Sequence, residues 1–342
     1  MATSPSLKNT VLLAALLSFA SAVSADISSV PMGYMSVKLA GGAPGAPVTT
    51  SFAVPLTDEP NNDGAVVGRI TGLTSDQITV TDAGWTPGKL ATKANPYAAR
   101  IKSGSNAGLT LVITANTADT LTVETSVDLT QLGIKKGASG HLIQLIPVDT
   151  LDSLFGSDTL IGAKKLRNAD IVYLGANSQD GYFYNTGLNR WVSIDGTTKN
   201  RGLTRIPPDA AVSVARVGPE TTLFFDGRVP ETAFVVEVAN SGETYTHTGF
   251  PTAVTLGELS LQTKIPGWVS ATKPAKADKI SIASGNRWDT YYYTGSRWRR
   301  TTDTSGKRDG VTIKAGVPIR ITRVGTATGS TPLKIRRPYA ID

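Results

Sequence analysis

The residues best suited to chemistry in this chain are aromatic and basic side chains close to its C-terminal end. An aromatic face stacks on a sugar ring or a base, and a guanidinium group binds carboxylate, sulfate or phosphate through paired hydrogen bonds. This combination suits acidic polysaccharide, lipopolysaccharide or nucleic acid. We therefore predict a surface for an anionic polymer that comprises Arg287, Trp288, Tyr292, Arg297, Trp298, Arg299, Arg300 and Lys307.

The same aromatic pattern occurs earlier in the chain. Residues 182–191 match residues 291–298, and from each tryptophan onward the register holds at an offset of 107. Aromatic residues that both copies share are most simply explained by core and cross-strand packing. The cations confined to the second copy are open to a separate role, with a solvated face as the alternative. They are Arg287, Arg299, Arg300, Lys307, Lys314 and Arg320, with Lys279 at the edge of the copy.

Charge is distributed unevenly along the chain. The formal net charge is +7, yet residues 26–263 hold 17 basic and 22 acidic side chains, whereas residues 264–342 hold 16 basic and 5 acidic ones. A mildly acidic body with a strongly basic end indicates an anionic partner for that end. Nucleic acid is the less favoured partner because an exported protein seldom meets it.

Residues for catalysis or metal binding are scarce. The only histidines are His141 and His247, both interpreted as ordinary sheet residues, and the chain has no cysteine. Its glycine-serine runs lack the spacing that exposes a hydrolase nucleophile. We predict no catalytic residue, no cofactor and a protein that is not an enzyme. The alternative is a polysaccharide hydrolase or lyase that uses carboxylates in a cleft between domains.

One acidic segment could bind a metal. Residues 58–64 (Asp-Glu-Pro-Asn-Asn-Asp-Gly) cluster oxygen ligands of the kind that Ca²⁺ prefers. Their spacing does not follow the EF-hand loop, and Pro60 fits a turn as well. A solvated turn is the favoured interpretation, and no metal site is predicted.

The elements that must position these residues are short strands. Alternating apolar residues and turn clusters at intervals of 8 to 12 residues are typical of a β-barrel or sandwich. The sequence predicts a mainly β chain with a small N-terminal barrel or sandwich at 26–156, followed by two repeated β modules at 157–263 and 264–342. Residues 149–156 read as a short helix that stops at Gly156.

The first residues predict export. Lys8 precedes an apolar run at 11–22, and Val23-Ser24-Ala25 offers the small residues that a signal peptidase requires. We predict a signal peptide at 1–25 and a mature chain without a transmembrane segment, located in the periplasm, at the cell surface or outside the cell. The expected role is a non-catalytic binding or structural protein that contacts an anionic envelope or extracellular polymer, or that associates with itself.

Three segments carry a resemblance to a known family. Residues 113–123 (Ile-Thr-Ala-Asn-Thr-Ala-Asp-Thr-Leu-Thr-Val), 150–156 (Thr-Leu-Asp-Ser-Leu-Phe-Gly) and 291–295 (Tyr-Tyr-Tyr-Thr-Gly) resemble an uncharacterised family of exported, β-rich bacterial proteins. The resemblance covers most of the mature chain and implies an exported β fold. Because that family has no established activity, it implies no site residue, cofactor or partner.

Overall fold

The computed structural model describes residues 31–57, 66–175 and 180–340. Strands make up 41% and helices 9% of the structure, so the chain is mainly β, as its turn-rich, alternating sequence predicts. Within the described residues, no helix is long and apolar enough to cross a membrane. The predicted signal peptide and the acidic segment 58–64 lie outside the described residues.

Two strands precede a seven-stranded half-barrel. The two are β1 (Met32–Leu39) and β2 (Val48–Phe52). The half-barrel consists of β3 (Val66–Arg69), β4 (Gly72–Leu73), β5 (Gln77–Thr79), β6 (Tyr97–Ile101), β7 (Thr110–Asn116), β8 (Thr120–Val123) and β9 (Leu142–Pro147). Its spatial order is β3-β9-β6-β7-β8-β5-β4. Consecutive strands β3 and β4 therefore occupy opposite edges of the curled sheet. Short 3-10 turns at Leu129–Leu132 and Gly137–Ser139 precede β9.

The core of the half-barrel follows the predicted alternation in part. Leu109, Leu111 and Ile113 are buried on its inner face, as expected. Val112, on the opposite face of β7, is also buried, and its cross-strand partner Ala98 belongs to a small apolar cluster outside the main core. Both sides of β7 are therefore apolar and buried at Leu111, Val112 and Ile113, whereas Thr114 and Ala115 are exposed.

A second group of strands forms what we call the middle sheet. This region contains β10 (Asp149–Thr150), α1 (Leu151–Phe155), β11 (Ile171–Leu174), β12 (Gly181–Asn185), β13 (Arg190–Ser193), β14 (Arg205–Ile206), β15 (Val212–Arg216) and β16 (Thr221–Arg228), with a 3-10 turn at Leu166–Asn168. The middle sheet has the order β13-β12-β11-β15-β2. Pairs β1–β16 and β10–β14 lie beside it.

The short helix predicted at 149–156 is confirmed as α1. Thr150 and Ser153 form a reciprocal capping box, in which each side chain accepts a hydrogen bond from the other's backbone N–H. Gly156 ends the helix with a φ of +58°, a backbone conformation that glycine adopts without steric cost. Local chemistry is therefore sufficient to define both ends of this helix.

The remaining region of the chain contains a five-stranded sheet that we call the C-terminal sheet. This region contains β17 (Phe234–Ala239), β18 (Gly242–Thr246), β19 (Val254–Thr255), α2 (Leu256–Leu259), α3 (Leu261–Lys264), β20 (Lys279–Ser284), β21 (Arg287–Tyr293), β22 (Trp298–Arg300), β23 (Thr312–Ile313), β24 (Ile319–Arg323) and β25 (Ser330–Ile335), with a 3-10 turn at Pro274–Lys276. The sheet order is β18-β24-β20-β21-β22, and β17–β25 and β19–β23 form separate pairs.

The half-barrel packs against the β17–β25 pair. Val235 of β17 is buried in the half-barrel core and forms a parallel bridge with Leu109. Glu237, also in β17, accepts hydrogen bonds from the Thr125 hydroxyl at 2.7 Å and the Ser126 backbone N–H at 3.1 Å. The described part of the chain from residue 31 onward belongs to one compact unit.

Candidate ligand-binding surface

The structure distributes the eight predicted ligand-binding residues over two faces and two ends of one hairpin, β21–β22. Successive side chains of a strand point to opposite faces. Arg287 lies at the turn that begins β21, whereas Arg297 lies in the turn after it, roughly 20 Å away at ~3.3 Å per residue. Lys307 lies beyond the hairpin in an exposed loop. The eight residues therefore do not form one continuous patch.

Two of the eight, Tyr292 and Trp298, are core residues with no exposed surface. The Tyr292 hydroxyl donates to the Thr272 carbonyl oxygen at 3.4 Å. Trp298 packs edge-on against Trp268 with ring centroids 5.8 Å apart. Protein therefore encloses both rings, and neither presents a free face to a ligand in this structure.

Two further residues, Arg299 and Arg300, are held by internal contacts. Arg300 forms an ion pair with Asp289 across the hairpin, and its side chain is 34% exposed. The Arg299 guanidinium donates to the Thr304 carbonyl oxygen. Each side chain is thus partly used within the fold, which reduces what it can offer to a polymer.

Arg287, Arg297 and Lys307 remain available. All three are exposed, and no ion pair among the described residues involves them. We call them the free cations of the hairpin, including Lys307 from the loop that follows it. Trp288 adjoins Arg287 and is half-buried, so part of its ring is accessible. These four residues are the members of the predicted set that can contact a large ligand.

The most deeply buried carboxylates serve the fold. Asp170 pairs with Arg216 at 2.6 Å, and Asp278 pairs with Arg323 at 2.7 Å. Each carboxylate also accepts hydrogen bonds from two backbone N–H groups. With their oxygen atoms occupied in this way, neither Asp170 nor Asp278 is free to act as an acid or base.

A cleft of about 320 Å³ lies between the middle and C-terminal sheets. Its described lining consists of uncharged residues, which are Thr49, Ser51, Tyr173, Gly175, Ala211, Ser213, Tyr245, Gly285, Asn286, Trp288 and Pro318. Trp288 is the one predicted binding residue among them. No carboxylate is part of this described lining, so the cleft does not supply the acid pair that the glycosidase alternative requires.

Arg320 holds the aromatic side of the cleft in place. Its guanidinium carbon lies 5.7 Å from the Tyr245 ring centroid and 5.4 Å from that of Trp288. It also donates to the Tyr245 hydroxyl at 3.2 Å, and Glu243 lies 3.5 Å away as its counterion. The two rings meet edge to face with centroids 5.8 Å apart. Arg320 therefore fixes the orientation of both rings.

Sequence reasoning missed Tyr173 and Tyr245. Each is an aromatic residue on the less buried face of a strand, beside a fully buried neighbour, Val172 or Thr246. That position was the only available signal, and it does not reveal that two distant strands approach each other. Burial raises the pKa of both tyrosines, so their hydroxyls remain protonated well above neutral pH.

The two histidines lie in the interior. His247 is 2% exposed, its Nδ1 accepts from the Gly249 N–H at 2.9 Å, and its Nε2 lies 3.1 Å from the Pro208 carbonyl oxygen. Burial lowers the pKa of His247 to about 4. Among the described residues, no group of three or more His, Asp or Glu side chains is arranged to hold a metal ion.

Comparison of the chain with protein-family models, with curated proteins and with solved structures finds no match. The resemblance to an exported bacterial family therefore stays a prediction.

Proposed function

We propose that this protein is an exported, non-catalytic binding protein whose C-terminal sheet contacts an anionic envelope or extracellular polymer. The supporting observation is a local excess of cations without internal counterions. Residues 277–325 contain four carboxylates, and arginines already engage three of them, at Asp278, Asp289 and Asp303. The free cations Arg287, Arg297 and Lys307 therefore face solvent, where a polyanion can displace their small counterions.

We further infer that the middle and C-terminal sheets are copies of one module, with the half-barrel inserted into the first copy between β2 and β10. Both sheets have an equivalent strand order, and in each a buried tryptophan, Trp191 or Trp298, lies on the edge strand. Capping boxes begin both α1 and α2. Because the buried ion pairs also recur, Arg287 and Lys307 are additions to a common scaffold, whereas Arg297 matches Arg190 of the first copy. The predicted boundaries at 156 and 263 remain predictions, and β1 and β2 pair with strands of the middle region.

Charge substitution tests polymer binding. We expect the triple variant Arg287→Ser, Arg297→Ser, Lys307→Ser to lose about tenfold in affinity for immobilised alginate, because each exposed contact contributes ~0.5 kcal/mol. Retention of the parent chain should fall steeply between about 0.1 and 0.5 M salt, as screening shortens the range of these charges.

The matched control removes three exposed cations from the half-barrel, Lys89, Lys135 and Lys136, and should retain parental affinity. Both variants lose the same net charge, so only the location differs. Equal retention of the two triple variants would remove the hairpin from the proposal.

Self-association is the second candidate, and one surface favours it. On the β1–β16 pair, Tyr34 and Phe224 stack with centroids 5.9 Å apart although their side chains are 66% and 63% exposed. The corresponding outer face of β17–β25 is covered by the half-barrel, which indicates that such a face can be an interface. Edge strand β22, in contrast, carries Arg299 and Arg300, and edge cations oppose strand pairing between chains.

Sedimentation velocity should show dimers of the parent chain and monomers of a Tyr34→Ser, Phe224→Ser variant. A monomeric parent at high concentration would count against this candidate.

A further inference from the structure

We propose that the cleft between the middle and C-terminal sheets is a second binding site and that it takes an uncharged saccharide segment. This site does not depend on the free cations of the hairpin. Its volume of about 320 Å³ falls within the ~300–1,000 Å³ typical of ligand pockets. The chemistry of its two walls identifies the class of ligand.

One wall supplies aromatic faces. Tyr245 and Trp288 come from β18 and β21 of the C-terminal sheet, and Arg320 fixes their rings before any ligand arrives. The C–H face of a sugar ring packs on such a surface in the way that apolar groups pack on aromatic rings. Because the rings are already oriented, little side-chain freedom is lost on binding.

The opposite wall supplies polar groups. Ser51 and Ser213 lie opposite each other on β2 and β15, with their hydroxyl oxygens 2.7 Å apart. Tyr173 lies opposite Ser213 on β11. No described residue forms a hydrogen bond with the Tyr173 hydroxyl or with the Asn286 amide at the rim. These groups are available to donate to, and accept from, sugar hydroxyls.

Charge decides between a neutral and an acidic sugar. No described lining residue is charged, and the Arg320 guanidinium lies against the two rings and is paired with Glu243. A carboxylate or sulfate in the cleft would lose water without gaining a cation, which is unfavourable. A neutral, hydroxyl-rich ligand has no such penalty.

Register explains why two similar sheets form unlike walls. In the middle sheet, one cross-strand row reads Ser51, Ser213 and Tyr173. The same row of the C-terminal sheet reads Tyr245, Arg320 and Ser281. The row of the middle sheet therefore presents hydroxyl groups, and the row of the C-terminal sheet presents the Tyr245 ring with Arg320 beside it. Together the two rows can bind both sides of a sugar ring.

Isothermal titration calorimetry with neutral oligosaccharides tests the site. The probes are the hexasaccharides of cellulose, xylan, mannan, starch and chitin, with oligogalacturonate as the acidic comparator. We expect at least one neutral probe to bind in the millimolar range or tighter. Trp288→Leu should weaken that binding at least tenfold. Asn286 lies in an exposed turn, and Asn286→Ala should weaken the binding severalfold.

Controls separate this site from the rest of the molecule. Trp85→Leu removes a half-buried tryptophan from the half-barrel and should leave binding unchanged. The Arg287→Ser, Arg297→Ser, Lys307→Ser variant should also keep it, even where its binding to polyanions is lost. Because Asn286 lies in an exposed turn, its variant remains informative if Trp288→Leu fails to fold.

Three results would overturn the site. The first is the absence of saturable binding of every neutral probe up to ~10 mM. The second is parental affinity in both the Trp288→Leu and Asn286→Ala variants. The third is tighter binding of oligogalacturonate than of any neutral probe with the same dependence on Trp288. None of these results affects the polyanion contact, which the charge variants test separately.

Discussion

Some charged residues of this chain are paired inside the fold, whereas others are exposed and have no internal partner among the described residues. Asp278 and Arg323 are both almost completely buried, and breaking such a pair leaves an uncompensated charge in the interior. Arg287, Arg297 and Lys307 have no such role. Whether a charged residue of this protein can bind a ligand therefore depends first on whether an internal partner already neutralises it.

His247 links the interior to pH. Its Nδ1 accepts a hydrogen bond from a backbone N–H, so the ring must be neutral there and carry its proton on Nε2, toward the Pro208 carbonyl oxygen. Burial lowers its pKa from 6.5 to about 4. A lowered folded-state pKa of a histidine means that the unfolded chain takes up the proton first, so stability is lost as pH falls from 6.5 toward 4.

We predict that the free energy of unfolding falls by up to about 3 kcal/mol over this interval, as measured by urea denaturation at pH 7.5, 5.5 and 4.5. His141, whose pKa burial also lowers, contributes in the same direction. A His247→Gln variant is the control and should be less stable at pH 7.5 but flatter in its pH dependence. An equal slope in both chains would show that His247 is not the group responsible.

Within one element, the hairpin β21–β22, one tryptophan belongs to the core and another borders the cleft. Trp298 is fully buried in the C-terminal core, whereas Trp288 is half-buried beside the cleft. The contrast follows from their faces, since Trp298 shares a side of the sheet with Tyr291 and Tyr293, and Trp288 shares the other with Arg320.

We predict that Trp298→Ala lowers the free energy of unfolding by about 3–5 kcal/mol, because it leaves a large cavity in the core. Trp288→Ala should cost about 1 kcal/mol, since it removes a half-buried ring and its contact with Arg320. Chemical denaturation followed by circular dichroism measures both. Similar losses in the two variants would contradict the assignment of one tryptophan to the core and the other to a ligand.

In the molecule as a whole, the half-barrel packs closely against the segment that leads into β17. Gly108 has a φ of +103°, and a Cβ at this position would overlap the Ala233 carbonyl oxygen next to β17. The chain therefore needs glycine here so that the two parts can approach closely.

Gly108→Ala should loosen this contact. We expect calorimetry to show either a second unfolding transition or a Tm several degrees below the parent, because the added methyl group must push Ala233 away. Gly133→Ala is the matched control, since Gly133 also has positive φ but open space around its Cβ position. The control carries only the backbone strain of ~1–2 kcal/mol. Identical behaviour of the two variants would mean that the close approach contributes nothing.

The amino-acid sequence is enough to predict the β class, helix α1 with its glycine stop, and the excess of positive charge at the C-terminal end. These features depend on residues close together in the chain, where periodicity, capping and turn chemistry act directly. The aromatic hairpins were also visible, although not which rings would be enclosed.

Which cations are free and where the cleft lies depend on the tertiary structure. Arg300 is neutralised by Asp289 only because a hairpin brings them together, and Tyr245 faces Ser51 and Ser213 only because two sheets pack side by side. The cleft joins residues far apart in sequence, and the Arg300–Asp289 pair, 11 residues apart, depends on the register of the hairpin, so no local pattern encodes either contact. The exposure of a side chain and the balance of its charge are set by its neighbours in space.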